Sequence, residues 1–490
     1  MKKTNSISII LLVVLSLWGC KNNSTGPLQV DEASAQKQFV WNAMNYWYYW
    51  QSSVSELADN HQYFSDEQAF QDYLKGFTDA KALFNGLIYQ QEDEFSFFID
   101  NYETFGQSQQ GVSKSFGFDF GLIYENANSN DIFGYVQYVL PASPADQAGL
   151  QRGDLFTKID GTQLNDQNYL DLLQNRSSYE LSLAKIENNS ISETGETVSL
   201  QAVTLQEDPI FKDTVLTAGS SKVGYLMYNA FHTNSHQELN NVFGNFISQG
   251  IDDLVLDLRY NGGGAGVTSL TLASMISGLD STNVFATYSF NEKRATQNNQ
   301  SVNFVNTVPI FNDSGEQVSQ IFMNKLGLNH VYILTAPGTA SASEVLINGL
   351  KPYITVTLIG EQTVGKDEGS LTLYDSSPNY LDKNNANPNF KIAIQPIVLK
   401  VVNRNGQDYP NGFIPDYEVN ELDYLDNLPP LGDKEDPLLS KALELISGQP
   451  MAKTTAKLWI LTVGKMLKDS RDLKPYAKGL YINSIGENNE

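Results

Sequence analysis

Ser341 and Lys366, which lie 25 positions apart, are of types that together can perform acyl transfer. Ser341 lies in the run of small residues TASASE at 339–344, and Lys366 follows a glycine. A lysine can replace histidine as the general base that removes the proton of a serine nucleophile. The pair therefore predicts a serine hydrolase that cuts peptides.

Each of the two residues also has a purely structural interpretation. Ser341 and Glu344 match a capping box, which marks the start of a helix, and Lys366 fits a solvent-exposed turn. As a base the lysine must be neutral, and burial favours the neutral amine because it disfavours the ammonium ion. Asp367 and Glu368 follow directly and favour the charged form, so they would have to point elsewhere.

Strands and helices that alternate between 206 and 448 have to position this pair, and they predict an α/β domain. A buried strand at 330–334 precedes Ser341, and a β-branched strand at 354–359 leads to Lys366. A third buried strand at 253–258 ends in a glycine-rich turn, and a long strand is predicted at 391–402. Such a turn either presents backbone N–H groups to a substrate carbonyl or is only a tight connection.

Two regions precede the α/β domain and one follows it. Residues 31–106 predict a helical region, because aromatic and apolar residues recur there every three to four positions. Short strands and turns at 112–205 predict a β-rich domain. Residues 449–490 form a polar tail with one apolar patch at 458–467, to which the sequence assigns no role.

Composition and the N-terminus restrict the class of protein. The net charge of −24 and the lack of a basic block argue against nucleic-acid binding. Lys2 and Lys3, followed by an apolar run at 7–17, predict a secretion signal. The run LWGC at 17–20 contains the only cysteine of the chain and resembles a bacterial lipoprotein signal. This resemblance implies a signal peptide at 1–19, lipidation of Cys20, a polar tether at 20–30, and attachment to the outer membrane of the cell envelope.

The stretch SPADQAGLQRGDLFTKIDG at 143–161 resembles the PDZ domains of bacterial proteases. In such domains an extended peptide adds a strand to the edge of the sheet, and a glycine-containing loop receives its C-terminal carboxylate. The resemblance assigns this loop to Phe116, Gly117 and Phe118. The residues by themselves also allow a β-rich domain that binds nothing.

Six motifs follow one another in a recognisable order, namely DEFSFF at 93–98, LDLRYNGGG at 256–264, TASASE at 339–344, GEQTVGK at 360–366, NGFIPD at 411–416 and LGDKEDPLL at 431–439. With the 25-residue interval from serine to lysine, they resemble the C-terminal processing (tail-specific) serine protease family over about residues 85–448. This resemblance implies a crotonase-like α/β core with an N-terminal helical cap and an inserted PDZ domain.

The same resemblance implies the roles of single residues. Ser341 is the nucleophile and Lys366 the base, and the N–H groups of Ala342 and of Gly263 or Gly264 form the oxyanion hole. It implies neither metal nor nucleotide, and it implies unfolded or C-terminally exposed polypeptides as substrates. Thr372 takes the place of a glutamine that positions the lysine in the family, in a segment that is two residues longer.

Two alternatives to a peptidase remain open. The altered lysine segment motivates a non-catalytic lipoprotein scaffold that binds peptides. A groove for cell-wall-linked peptides or for an apolar ligand is the other, although no residue selects it. The four histidines, which have no ligand spacing, are interpreted as structural or surface residues: His61, His232, His236 and His330.

Overall fold

The computed structural model describes residues 32–187, 190–312, 315–450, 465–473 and 479–482. The predicted signal peptide, Cys20 and the tether lie outside the described residues, as does most of the apolar patch at 458–467. Within the described ranges, no helix combines the length and the apolar character needed to cross a bilayer.

The N-terminal region is largely helical and packs on the α/β core. The side chains of Phe39, Val40 and Trp47 are buried in a cluster that continues into the core. The backbone N–H of Tyr49 donates to the carbonyl of Ile397 at 2.8 Å, which joins the two regions. The elements of this region are α1 (Glu32–Trp47), α2 (Glu67–Lys75), α3 (Ala80–Leu87), β1 (Phe97–Ile99) and α4 (Tyr102–Ser108).

The second region contains one larger antiparallel sheet, a separate two-stranded sheet and two short helices. Ser143 caps the first helix by accepting the N–H of Asp146, and Pro144 occupies the first helical position, as the sequence predicts. The elements are β2 (Val112–Ser115), β3 (Phe118–Tyr124), β4 (Ile132–Val139), α5 (Pro144–Gln147), β5 (Leu155–Ile159), β6 (Thr162–Gln163), α6 (Tyr169–Leu173), β7 (Ser178–Glu187), β8 (Ser190–Gln201) and β9 (Val203–Gln206).

The third region is the α/β core, which contains two six-stranded sheets. Its elements are β10 (Ile210–Ala218), β11 (Ser221–Tyr228), α7 (His236–Gln249), β12 (Asp253–Asp257), β13 (Gly264–Ala265), α8 (Gly266–Ser277), β14 (Val284–Phe290), α9 (Glu292–Asn298), β15 (Gln300–Asn303), β16 (Thr307–Phe311), β17 (Gln317–Phe322), β18 (His330–Thr335), α10 (Ala342–Leu350), β19 (Thr355–Gly360), β20 (Glu368–Ser370), β21 (Ala393–Gln395), β22 (Ile397–Val402), β23 (Tyr417–Glu418) and α11 (Pro437–Ser447). Two strands follow, β24 (Met466–Asp469) and β25 (Leu480–Tyr481).

The first core sheet has the order β10-β11-β12-β18-β19-β23 and is parallel from β11 onward. The carboxyl ends of parallel strands meet at one edge of a sheet, which is where α/β proteins bind ligands. The glycine-rich turn follows β12, the Ser341 loop follows β18, and the Lys366 segment follows β19. The sheet therefore brings the three predicted functional segments to one edge.

The prediction of one long strand at 391–402 is wrong. The structure has two strands there, β21 and β22, separated at Pro396. Proline has no N–H to donate to a strand neighbour, and here it separates β21, which pairs with β1, from β22, which pairs with β14 and β20.

Candidate active site

Ser341 lies in a strained turn between β18 and α10. Its backbone has φ 63° and ψ −115°, a conformation that a non-glycine residue adopts only when its surroundings impose it. The hydroxyl of Thr339 donates to the carbonyl of Leu258 at 2.8 Å, and the N–H of Ala340 donates to that of Asn261 at 3.2 Å. These bonds tie the serine loop to the glycine-rich turn. The Ser341 hydroxyl is buried and makes no hydrogen bond among the described residues.

One carboxylate holds the backbones of the two candidate catalytic residues. Oε2 of Glu344 accepts the N–H of Ser341 at 2.8 Å and that of Lys366 at 2.9 Å. Oε1 accepts the Thr363 hydroxyl at 2.6 Å and the N–H of Gly365 at 2.7 Å. Burial raises the pKa of Glu344, although these four hydrogen bonds oppose the shift. The sequence predicted the bond to Ser341 as half of a capping box, but not the bonds to the lysine segment.

Lys366 is buried, with 2% of its surface exposed, and its side-chain nitrogen Nζ lies 4.6 Å from the centre of the Phe95 ring. This excludes the solvent-exposed turn. The two neighbouring carboxylates bind another cation, since Lys400 Nζ lies 3.0 Å from Asp367 and 2.7 Å from Glu368. The longer segment thus begins β20, where Glu368 pairs with Lys400.

The Thr372 hydroxyl donates to Oε1 of Gln395 at 2.6 Å. Nε2 of Gln395 donates in turn to the Ser370 hydroxyl at 2.9 Å, and Gln395 is almost fully buried. Gln395 therefore lines the cleft next to the glycine-rich turn, together with Gly263, Gly264 and Ser370, but it comes from β21. That Thr372 positions Lys366 stays a prediction.

Gly263 and Gly264, the two alternative oxyanion donors of the glycine-rich turn, differ in the partners of their N–H groups. The N–H of Gly263 donates to the side-chain oxygen of Asn261 at 2.9 Å, and Nδ2 of Asn261 donates to the carbonyl of Tyr228 at 2.7 Å. The N–H of Gly264 instead points into the cleft, where it donates to the carbonyl of Gly479 at 2.6 Å. Gly264 is therefore the better candidate of the two. Ala342 is buried as the first residue of α10.

A buried ion cluster lies beneath the turn. Arg259 contacts Asp257, Asp436 and Glu421, with nitrogen-to-oxygen distances of 2.7–2.9 Å, and all four side chains are nearly or fully buried. Arg152, from the β-rich domain, also binds Glu421. Burial opposes ionisation of Glu421, but the two arginines lower its pKa to about 2. The cluster links the β-rich domain to the core at the base of the candidate site.

The loop that the PDZ resemblance assigns to peptide binding lies between β2 and β3. Gly117 has φ 88°, and a Cβ there would lie 2.0 Å from Cβ of Ser143, so the position requires glycine. The carbonyl of Gly117 accepts the N–H of Leu140, and that of Phe116 accepts the N–H of Ala145. Phe118 begins β3. The role of this loop in peptide binding stays a prediction.

Comparison with known proteins agrees with this architecture. The model of peptidase family S41 matches residues 222–419, that of the peptidase S41 N-terminal domain matches residues 35–97, and that of a PDZ domain matches residues 135–184. Together with the core described above, these matches define the S41 protease fold with an N-terminal helical region and a PDZ domain. The chain belongs to peptidase family S41, which confirms the family and the fold class expected from the motifs.

Individual relatives are distant. The chloroplastic C-terminal processing peptidase of Tetradesmus obliquus is 24% identical over 286 residues, 56% of either chain. A protein of Staphylococcus aureus strain N315 named as a CtpA-like serine protease is 24% identical over 288 residues, which cover 59% of this chain and 51% of the relative. The chain thus matches only about half the length of these relatives.

Two solved structures have a similar fold. A crystal structure from Bacteroides fragilis, described as that of an S41 protease, superimposes with a TM-score of 0.62 at 27% identity, over 84% of this chain and 97% of the other. The photosystem II D1 C-terminal processing protease superimposes with a TM-score of 0.50 at 19% identity, over 86% of this chain and 100% of the other. At this identity the second comparison supports the fold alone.

Proposed function

We propose that the chain is a serine-type endopeptidase that cleaves unfolded or C-terminally exposed polypeptides through a Ser341–Lys366 acyl-enzyme mechanism. The observation that carries the proposal is the Glu344 carboxylate, one oxygen of which accepts the backbone N–H groups of both residues. This arrangement holds the backbones of the proposed nucleophile and base at one carboxylate.

The proposed mechanism assigns one step to each group. Neutral Lys366 removes the hydroxyl proton of Ser341 while the oxygen attacks the substrate carbonyl. The N–H groups of Gly264 and Ala342 stabilise the resulting oxyanion. The C–N bond breaks, Lys366 returns the proton to the leaving amine, and a water molecule then hydrolyses the serine ester by the same steps. Burial of Lys366 supports its role as base, because it favours the neutral amine.

The PDZ domain would capture the substrate by strand addition. β3 follows directly on the loop at Phe116, Gly117 and Phe118, so a peptide paired with β3 would run toward that loop. Main-chain pairing reads any extended sequence, and this suits unfolded polypeptides as the substrate class.

The test is cleavage of an unfolded polypeptide that has an apolar C-terminus. We expect Ser341→Ala and Lys366→Ala each to lower kcat by about 10⁴-fold or more. Lys351→Ala serves as the matched control, because Lys351 lies at the exposed end of α10. Thermal melting checks that all three variants fold. Equal turnover by the wild type and Ser341→Ala would refute the mechanism, and peptide binding without turnover in any form would favour the scaffold.

We also propose that Cys20 carries a lipid anchor that attaches the protein to the outer membrane of a bacterial envelope. The supporting features are the LWGC run, the single cysteine and the Lys21 that follows it, where no aspartate signals retention in the inner membrane. Cys20→Ser is expected to release the protein from membranes in cell fractionation. Recovery of the wild type with the inner membrane would contradict the outer-membrane location.

A further inference from the structure

The C-terminal tail, meaning here residues 465–473 and 479–482, enters the PDZ domain as an added strand. β24 pairs antiparallel with β3, with Lys468 opposite Leu122 and Asp469 opposite Gly121. The carbonyl of Leu473 accepts a hydrogen bond at 3.0 Å from Nε2 of Gln174, the residue directly after α6. The tail therefore follows the edge of β3 and also reaches α6.

Buried polar contacts fix the tail against the PDZ domain. The Ser470 hydroxyl donates to Asp119 at 2.7 Å and accepts the N–H of Phe120 at 3.0 Å. Asp469 accepts a hydrogen bond from Gln137 at 2.9 Å and binds Arg471, whose guanidinium reaches the core at the carbonyl of Tyr260. Asp469 and Ser470 are each only 7% exposed. These contacts fix the position of the tail along β3.

The same tail also reaches the catalytic cleft. β25 lies between β13 and β20, with Leu480 opposite Gly264 and Tyr481 opposite Ser370. The Gly479 carbonyl accepts the N–H of Gly264 at 2.6 Å, and the Ser370 hydroxyl donates to the Leu480 carbonyl at 2.9 Å. The Leu480 side chain is fully buried.

The position of Gly479 resembles that of a substrate carbonyl. A Cβ placed on Gly263 would lie 2.7 Å from the Gly479 oxygen and 2.8 Å from Cβ of Ser341, so the tail and the serine flank the same glycine. The carbonyl of Gly479 thus accepts the hydrogen bond of the Gly264 N–H, the group that the proposed mechanism assigns to the oxyanion. A second polypeptide cannot use the N–H of Gly264 while Gly479 does.

We propose that the C-terminal tail is an intramolecular peptide ligand that occupies the PDZ groove and the catalytic cleft, and that other polypeptides bind only after it leaves. The proposal rests on the proposed function, because it takes the Gly264 N–H as a substrate contact. It also defines the ligand that the groove accepts, an extended peptide with a small residue at the Gly264 donor and a buried aliphatic residue directly after it.

The first test is the full-length variant Leu480→Asp, whose carboxylate disfavours the buried site and so expels the tail without deleting it. We expect kcat/KM toward an unfolded polypeptide to rise about tenfold or more. Val318→Asp, on the exposed strand β17, adds the same charge far from the cleft and is the matched control. Ser470→Ala, which loosens only the PDZ end, should give a smaller rise and replaces the first variant if that variant fails to fold.

Binding provides a second readout that does not depend on catalysis. A fluorescent peptide with the sequence of residues 465–482 is titrated into full-length Ser341→Ala and into the double variant Ser341→Ala/Leu480→Asp, and its anisotropy is recorded. We expect at least a tenfold lower Kd for the double variant. A tail that is only a structural strand predicts equal Kd values, unchanged kcat/KM and a lower Tm for Leu480→Asp, and this result would overturn the inference.

The two proposals fail in different ways. If Leu480→Asp lowers the Kd but neither it nor the wild type turns over any polypeptide, the tail is a ligand and the peptidase proposal fails. If the wild type turns over substrate and the leucine variant changes neither readout, the peptidase proposal stands and the tail inference fails.

Discussion

The tail is held differently at the two ends of its groove. At the PDZ end, side chains make the specific bonds: Ser470 with Asp119, and Asp469 with Gln137. At the catalytic end, the hydrogen bonds go to main-chain carbonyls, from the N–H of Gly264 and the hydroxyl of Ser370. A side-chain contact selects among sequences, whereas a main-chain contact accepts nearly any. The difference indicates that hydrogen bonds select the polypeptide at the PDZ end, whereas selection at the catalytic end is left to the size and burial of side chains such as that of Leu480.

Apart from substitutions of Ser341 and Lys366 themselves, the largest effect is expected at the catalytic end, from Glu344→Gln. The amide keeps the volume but turns two acceptor sites into donors, which face either the N–H groups of Ser341 and Lys366 or the groups of Thr363 and Gly365. We expect kcat to fall about 100-fold, as after loss of a preorganised catalytic contact. Glu444→Gln on α11 is the control. An unchanged kcat in Glu344→Gln would contradict the proposal that Glu344 preorganises the catalytic end.

Gly264→Ala tests the main-chain donor itself. Gly264 has φ 139°, and a Cβ there would lie 2.5 Å from the carbonyl oxygen of Phe231, so the turn must shift and its N–H must point elsewhere. We expect kcat to fall about 100-fold, the usual cost of losing one oxyanion donor. Gly161→Ala is the matched control, since Gly161 also has a positive φ, 74°, but no atom lies within 4 Å of a Cβ there. Equal losses in both variants would indicate backbone strain alone.

The third prediction concerns the stability of the fold and the carboxylate of Glu421. This group connects the PDZ domain to the core because it binds Arg152 of the former and Arg259 of the latter. Its pKa is about 2 in the folded protein, against an ordinary value of 4.5. Because the folded value is the lower one, this group stabilises the fold fully above about pH 4.5, and the contribution is lost as the pH falls toward 2. It amounts to about 3 kcal/mol.

The measurement is the free energy of unfolding between pH 5 and pH 2 for the wild type and Glu421→Gln. We expect the wild type to lose more stability over this range than the variant does. Glu418→Gln, on the exposed strand β23, should behave as the wild type. Parallel curves for Glu421→Gln and the wild type would contradict the assignment.

The smallest effect is expected at the PDZ end, from Asp119→Asn. The substitution weakens the charged hydrogen bond to Ser470 at 2.7 Å. In the Leu480→Asp background, the Kd for the tail peptide should rise about tenfold while kcat for a short peptide stays unchanged. Asp171→Asn, on the exposed face of α6, is the control. A fall in kcat with no change in Kd would contradict the assignment of peptide binding to the PDZ end.

Local signals in the sequence were enough for much of the fold. The buried strands before Ser341 and Lys366 are continuous apolar or β-branched runs, and the structure places strands there at 330–335 and 355–360. The small residues and the capping motif around Ser341 also predicted the turn from strand to helix. Pro396 was a usable signal for the break between β21 and β22, since proline cannot donate to a strand neighbour.

Features that depend on distant pairing had no local signal. Gln395 reaches the cleft because β21 pairs with β1, and nothing near Gln395 encodes that partner. β24 pairs with β3 across most of the chain, so an apparently polar tail gave no indication of its site. The positive φ of Ser341 follows from contacts that Thr339 and Ala340 make with another segment. Pairing and strain of this kind are set by tertiary structure.

The backbone conformation of Ser341 has a consequence for how related sequences evolve. Its φ of 63° is the kind of conformation that glycine accepts with the least strain, so glycine there would relieve the loop while removing the hydroxyl. Some serine codons become glycine codons by a single base change. A lineage no longer selected for chemistry would therefore gain stability by losing its nucleophile, and glycine at this position in a related sequence would identify a pseudoenzyme.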